Sequence, residues 1–434
     1  ADTGKLGFII NGIDQGDIPY TLSTSQRWVV GISLRGSGAT GEINFGQKPF
    51  KFPPPDGFQP LNTANVRPET VITRPDKYVG VKTYTGNQTA RTLSTNFAPD
   101  FVWTKRRDDS NSHQLYDSVR GDNKILQTDN TNDEDTVSNS LSFSESKGIN
   151  IGSGTRSNEN SVSYVAWAWK AGGKVGSNAF NVDDVGYASA AAAGLGGGSM
   201  TLTGASVGTK QGFSIVTYQG TNSNESIPHG LGSVPAFYIC KATGDSGYTD
   251  SWNVYHQSLG NAAYLKLQTS DAPTTGSTIW NSTSPTDSLF YVASNSNANE
   301  NGVDYVSYIW SDVPGLQKFG KYSGNQSADG PFIELGFRPA LVWIKGVGSG
   351  STSWRIFDKE RSPINTTTTL YLRPNVANGD LDDTRPIDIV SNGFKIRVAG
   401  GGDINLSSGA YDYIYCAWAD VPSINLFGGS SLAR

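Results

Sequence analysis

Charge is scarce in this chain. Charged residues make up 17% of its 434 positions, against about 25% in an average soluble protein, and the net charge is −5. No basic run is long enough to follow a phosphate backbone, which excludes nucleic acid as the main partner. Histidine is rarer still, with only His113, His229 and His256. The two cysteines, Cys240 and Cys416, lie far apart inside strand-like runs. That spacing offers no zinc site and no disulfide framework, and it predicts buried free thiols. Long apolar runs are missing as well. The most apolar window, Ala188 to Leu195, is far below the ~18 residues of a membrane span and runs straight into Gly196, Gly197 and Gly198. Membrane insertion is not expected, and no cofactor is implied.

Glycine and aromatic residues are plentiful. There are 51 Gly and 10 Trp, and aromatics reach 11%. The glycines follow no three-residue period, so the chain is not collagenous, and the aromatic content supplies bulk for cores. Short apolar runs separated by Gly, Ser, Thr and Asn read as many short strands joined by turns, an all-β protein. At roughly 100–200 residues per domain, the length suggests about three domains.

An internal repeat organises most of the sequence. A Tyr-x-Gly turn occurs as Tyr84-Thr85-Gly86, Tyr218-Gln219-Gly220 and Tyr322-Ser323-Gly324. Each is followed by a Pro and a strand ending in Lys: Pro99 to Lys105, Pro235 to Lys241 and Pro339 to Lys345. A third element carries Tyr116-Asp117, Tyr255-His256 or Phe357-Asp358. A closing strand ends each unit: Tyr164 to Trp169, Tyr305 to Trp310 and Tyr413 to Trp418. From Pro to final Trp the separations are 70, 75 and 79 residues, so loops absorb the length differences. Units of this length are too long for solenoid repeats and large enough for their own cores. The expected organisation is a partial sandwich over 1–66, repeat domains over 67–173, 213–317 and 318–434, and a Gly-, Ala- and Ser-rich linker with a short strand or hairpin over 174–212. Trp103, Trp169, Trp310, Trp343 and Trp418 recur at repeat positions, as core residues do. Alternation puts Phe101, Trp103 and Lys105 on one strand face, with the Lys at the strand end expected to reach solvent.

Two stretches resemble known families. Residues 7 to 66, ending in Asn44-Phe45-Gly46-Gln47-Lys48-Pro49-Phe50, resemble the closing strands of SPRY-type, concanavalin-like sandwiches of phage virion proteins. A half-sandwich exposes an apolar face and strand edges, so the other half is expected upstream of Ala1, the alternative being completion by strands from elsewhere. Tyr116-Asp117-Ser118-Val119-Arg120-Gly121, Tyr164 to Gly173, Gly212 to Tyr218 with His229-Gly230-Leu231-Gly232, and Phe319 to Asn325 resemble a repeated β-domain of tailed-bacteriophage virion proteins, marine and cyanophage-like. The resemblance implies tandem jelly-roll or concanavalin-like β-sandwiches, location in the virion as a tail fibre, and assembly with other virion subunits into homo-oligomers, usually trimers. It supplies no catalytic or binding residues.

Catalytic patterns fail on their context. Gly36-Ser37-Gly38-Ala39-Thr40-Gly41 fits a dinucleotide fingerprint but lies between strands, with no helix N-terminus to hold a pyrophosphate. Gly244-Asp245-Ser246-Gly247 matches a protease nucleophile loop without a His and an Asp in recognisable register. The acidic loop of Asp129, Asp133, Glu134 and Asp135 offers hard oxygen ligands for Ca²⁺, but it lacks an EF-hand's spacing and reads as a solvated turn. No carboxylate pair is singled out for glycoside hydrolysis. The chain is therefore expected not to be an enzyme. A pyranose offers apolar C–H patches to flat aromatic faces. Trp280 and Tyr248, which do not recur and sit in polar loops, are the candidates for ligand contact. The expected function is a tail fibre or receptor-binding adhesin presenting loops to host surface glycans. The alternatives are a structural head fibre, knob or connector and, more distantly, a polysaccharide depolymerase.

Overall fold

A computed structural model describes residues 5–10, 13–21 and 71–244. It also describes 251–422, apart from 277, 349–350, 363–364, 366–367, 385, 400–403 and 407–411. The chain divides into two compact units, Ala1–Thr70 and Val71–Arg434. In the first, Lys5–Ile10 pairs antiparallel with Ile13–Thr21, and the ladder shifts register around Gly7. Most of the stretch expected to form a partial SPRY-like sandwich, with Gly36–Gly41, lies outside the described residues.

The second unit is all-β, and the same four-strand order occurs in it three times. In each case the strand bearing the Tyr-x-Gly tyrosine pairs with the closing strand. The closing strand pairs with the Pro-to-Lys strand, which pairs with the third element. The first sheet is Val79–Thr85, Ser163–Trp169, Phe101–Arg106 and Gln114–Asp117. The second embeds Phe213–Gln219, Asp304–Ser311, Pro235–Ala242 and Asn253–His256 in nine strands. The third is Gln317–Ser323, Asp412–Pro422, Phe337–Gly346 and Arg355–Asp358. All these pairings are antiparallel.

Period-two alternation divides each closing strand between two cores. Val165, Trp167 and Trp169 point into one central cluster, while Ala166 and Ala168 point into a separate cluster of the first segment. In the third segment Ile414, Cys416 and Trp418 face the central cluster, and Tyr413, Tyr415 and Ala417 face a local one. The second segment likewise divides Tyr308 and Trp310 from Tyr305 and Ile309. Each local core is closed by a smaller sheet. That sheet has three strands in the first and third segments, including Ile149–Ile151 and Gly393–Ile396, and two in the second, Glu225–Pro228 with Leu289–Val292. These are two-layer sandwiches.

The sandwich segments share a second core besides their local ones. Their inner faces meet in one aromatic centre. Trp169, Trp310 and Trp418 form a triangle with ring centroids 6.2, 6.0 and 5.5 Å apart, every pair edge-to-face. Each such pair contributes about 0.5–1.5 kcal/mol beyond burial. Trp103 and Trp343 join this centre at 5.1 Å. The linker is built into the fold too. Phe180–Val182 and Val185–Tyr187 form a hairpin, and Phe180–Val182 also pairs in parallel with Leu202–Gly208 on the edge of the second segment's sheet.

Candidate functional site

Equivalent side chains close the seams between segments. Asp117 of the first segment accepts the Tyr308 hydroxyl of the second at 2.7 Å. His256 of the second sits 3.2 Å, through Nε2, from the Tyr415 carbonyl of the third. Asp358 of the third accepts Trp167 Nε1 of the first at 3.0 Å. Each of the three also caps its own turn: Asp117 accepts the Arg120 amide, His256 Nδ1 the Ser258 amide and Asp358 the Arg361 amide. With Nδ1 accepting, His256 is the neutral tautomer that donates from Nε2. A second cycle runs the other way. His113 Nε2 lies 3.0 Å from the Arg373 carbonyl, Trp252 Nε1 donates to Gln127 O at 2.9 Å, and Trp354 Nε1 donates to Lys266 O at 3.3 Å. These residues are fully occupied in holding segments together. Burial pushes His256 down to about 4 and holds His113 well below its usual range.

The Tyr-x-Gly turns are fixed in the same repeated manner. A Cβ on Gly86, Gly220 or Gly324 would lie 2.0, 2.1 or 2.3 Å from a backbone carbonyl, so only glycine fits. Asn158, Asn299 and Asn405 lie buried beneath these turns, and each accepts a backbone amide of the turn at 2.8–2.9 Å.

Several sequence expectations change here. Lys105, Lys241 and Lys345 do not reach solvent; all three are buried. The converging sheets cover the strand ends, and the ammonium groups bond to main chain instead. Lys105 donates to Arg106 O, Lys241 to Ala242 O, and Lys345 to Thr352 O and, across a seam, to Ser270 O. Burial lowers Lys105 to about 8. Trp280 is not a surface aromatic. It is fully buried, edge-on to Tyr238 at 4.9 Å. The second segment's outer sheet has two strands where the others have three, and the loop carrying Trp280 covers the exposed face. Tyr248 lies outside the described residues, as do Asp245, Ser246 and Gly247. Trp103, Trp169, Trp310, Trp343 and Trp418 are all buried in the central cluster.

Half of the acidic loop is spent on internal contacts. Asp129 accepts Ser112 Oγ and the His113 amide, and Glu134 pairs with Arg120 and Lys124. Asp133 and Asp135 are exposed. No group of three His, Cys, Asp or Glu able to hold a metal occurs among the described residues. Cys240 and Cys416 are free, buried thiols, and burial pushes Cys240 up to about 12, far from the reactive thiolate range.

The concave surface lies where the repeat is broken. A cleft of about 480 Å³ is bounded by the start of the first segment, the turn before Ile149–Ile151 and the linker. Lys77, Lys147, Lys170 and Lys174 line it, with Tyr78, Phe97, Glu145 and Asp184. Lys170 pairs with Asp184 at 2.5 Å and Lys174 with Asp122 at 3.1 Å, while Glu145 accepts the Gly176 amide. Gly173, at φ +85°, lets the hairpin close on this edge; a Cβ there would lie 2.5 Å from Asp184 Oδ1. A smaller hollow of about 220 Å³ adjoins it through Asn96 and Phe97 and contains Asp76, Lys82, Lys359 and Asp420. The cleft sits in a wall of flanking loops and holds no histidine, cysteine or serine. Composition alone did not single out these lysines, since they are separated by up to 97 positions and belong to three turns.

The fold and these surfaces define an all-β protein of sandwich segments around a common aromatic centre, with a polar cleft beside its inserted hairpin. By sequence the chain belongs to the family described as Domain of unknown function (DUF7483), whose model matches residues 74–422 as one stretch. No curated protein matches the chain.

Proposed function

We propose that this chain is a non-catalytic binding protein of a tailed-phage particle, a fibre or receptor-binding adhesin that presents loops to host surface glycans. One observation carries the reading. The positions shared by the three segments are consumed by packing and seams, while a cleft of about 480 Å³ lies beside an element found once, the linker hairpin. Recognition surfaces diversify on loops set on a rigid scaffold, and an aromatic side chain amid polar groups suits a sugar ring. The phage setting rests on the sequence resemblance. A structural virion role is the second reading, favoured by the single aromatic centre binding three segments into a stiff block.

Adsorption competition separates the two. Host cells are incubated with the purified full chain before the phage is added. Dose-dependent loss of adsorption supports adhesion. Absence of cell binding by folded protein leaves the structural role.

A further inference from the structure

We propose that the cleft beside the linker hairpin is a binding site for an anionic saccharide, a sugar bearing a carboxylate or a sulfate or phosphate ester; this rests on the adhesin reading and specifies its ligand. The charge of the cleft runs against that of the chain. The protein as a whole carries −5, yet four ammonium groups and two carboxylates line this one hollow. The four lysines fall into two kinds, paired and unpaired. Lys170 and Lys174 are held by Asp184 and Asp122, which fixes their stems along the wall. Lys77 and Lys147, both exposed, have no ion pair or side-chain hydrogen bond, so each presents three free N–H donors. Glu145 also lines the cleft but pairs with neither of them, so an anion meeting either lysine gains attraction without having to break an existing pair.

Size and lining favour a sugar over a bare ion. The volume of about 480 Å³ falls within the roughly 300–1,000 Å³ of small-molecule sites. Tyr78, Phe97, Ala98 and Val175 add apolar wall beside the lysines. That combination of apolar patches and cations matches a pyranose ring bearing an acidic group. Exposed lysines give an affinity that falls with salt, because screening acts on solvent-facing charges first.

The test is calorimetric titration of the full chain with oligogalacturonate as the carboxylate probe, a sulfated chondroitin disaccharide as the ester probe, maltotriose as the neutral sugar and inorganic phosphate as the bare anion. The variants are Lys77→Glu/Lys147→Glu, which touches no internal contact, Tyr78→Leu, and Lys321→Glu as a control on an exposed strand position of the third segment, none of whose residues line the cleft. The expected result is binding of one or both acidic sugars and not of maltotriose. That binding should weaken on the order of tenfold or more in the double variant, weaken in Tyr78→Leu and stay unchanged in Lys321→Glu. Preference between the two acidic probes identifies the anion. Equal binding of inorganic phosphate with no effect of Tyr78→Leu overturns the saccharide, as does maltotriose binding that ignores the double variant, or no binding by either acidic probe. Running the double variant in adsorption competition separates this failure from that of the adhesin reading. Competition equal to wild type overturns the cleft and keeps the adhesin. Acidic-sugar binding without any cell binding keeps the cleft and overturns the adhesin.

Discussion

At Trp310 three rings of the central cluster crowd together: Phe213 stacked at 4.6 Å, Phe237 at 5.4 Å and Trp418 at 6.0 Å. Trp310→Ala would leave a void shared by three segments, so a loss of about 3–5 kcal/mol is expected, read as a lowered urea midpoint. The histidines set the acid limit. Burial depresses His229 and His256 to about 4 from the usual histidine value of about 6.5, and His113 moves the same way. Below pH 6.5 the unfolded chain takes up protons the native state refuses, so stability falls between about pH 6.5 and 4, by roughly 3 kcal/mol for each of His229 and His256. Asp100 and Asp312, raised by burial, act in the opposite sense and blunt the fall. A pH series of thermal melts should show the decline, with a shallower acid limb in His256→Asn. Lys105, lowered to about 8, works at the other end. Between pH 8 and about 10 the unfolded chain still holds a proton that the native ammonium has lost, so stability rises with pH there. Lys105→Met removes that rise, and it raises stability at pH 7 by on the order of 1–3 kcal/mol. A melting temperature at pH 7 unchanged or lower in Lys105→Met would contradict this account.

Among elements, the turns and strands differ in how openly the sequence declares them. The β-rich character was legible from alternation, as in Val165, Trp167 and Trp169 against Ala166 and Ala168. What alternation could not show is what lies opposite a strand face. Lys105 shares a face with Trp103, and only the neighbouring segments decide whether its end is wet or covered. Trp280 failed for the same reason: a polar loop can still bury its one large ring when the sheet beneath is a strand short. The cleft was not legible at all, because Lys77, Lys147, Lys170 and Lys174 converge only through pairing of turns far apart in sequence. The Tyr-x-Gly turn was readable as a motif, while its need for glycine comes from a carbonyl 73 to 82 residues away. Gly220→Ala would place a methyl 2.1 Å from Glu300 O and is expected to cost about 1–3 kcal/mol. Equilibrium denaturation checks it, with Gly244→Ala, where nothing lies within 4 Å, as the neutral comparison.

On the scale of the molecule, a shared centre makes the segments interdependent. A fragment of residues 318–422 would expose Phe319, Leu341, Trp343 and Trp418, which are buried against other segments in the whole chain. It is expected to aggregate or remain unfolded, with no sharp melting transition, whereas the three segments together unfold in one cooperative step. Circular dichroism of the fragment beside the full chain decides this, and a fragment melting with native-like cooperativity would falsify the shared-core account.

The ring of seam contacts, Asp117 to Tyr308, His256 to Tyr415 and Asp358 to Trp167, closes within one polypeptide. In an assembly of three identical chains, every substitution is copied to all three faces at once. Here each face is encoded separately, so a change in one set of loops leaves the other two untouched. That freedom is already visible in the ring itself, where a histidine stands where the other two segments keep an aspartate. A chain so arranged can hold its scaffold constant and let one face alone acquire a hairpin, a cleft and a charge of its own.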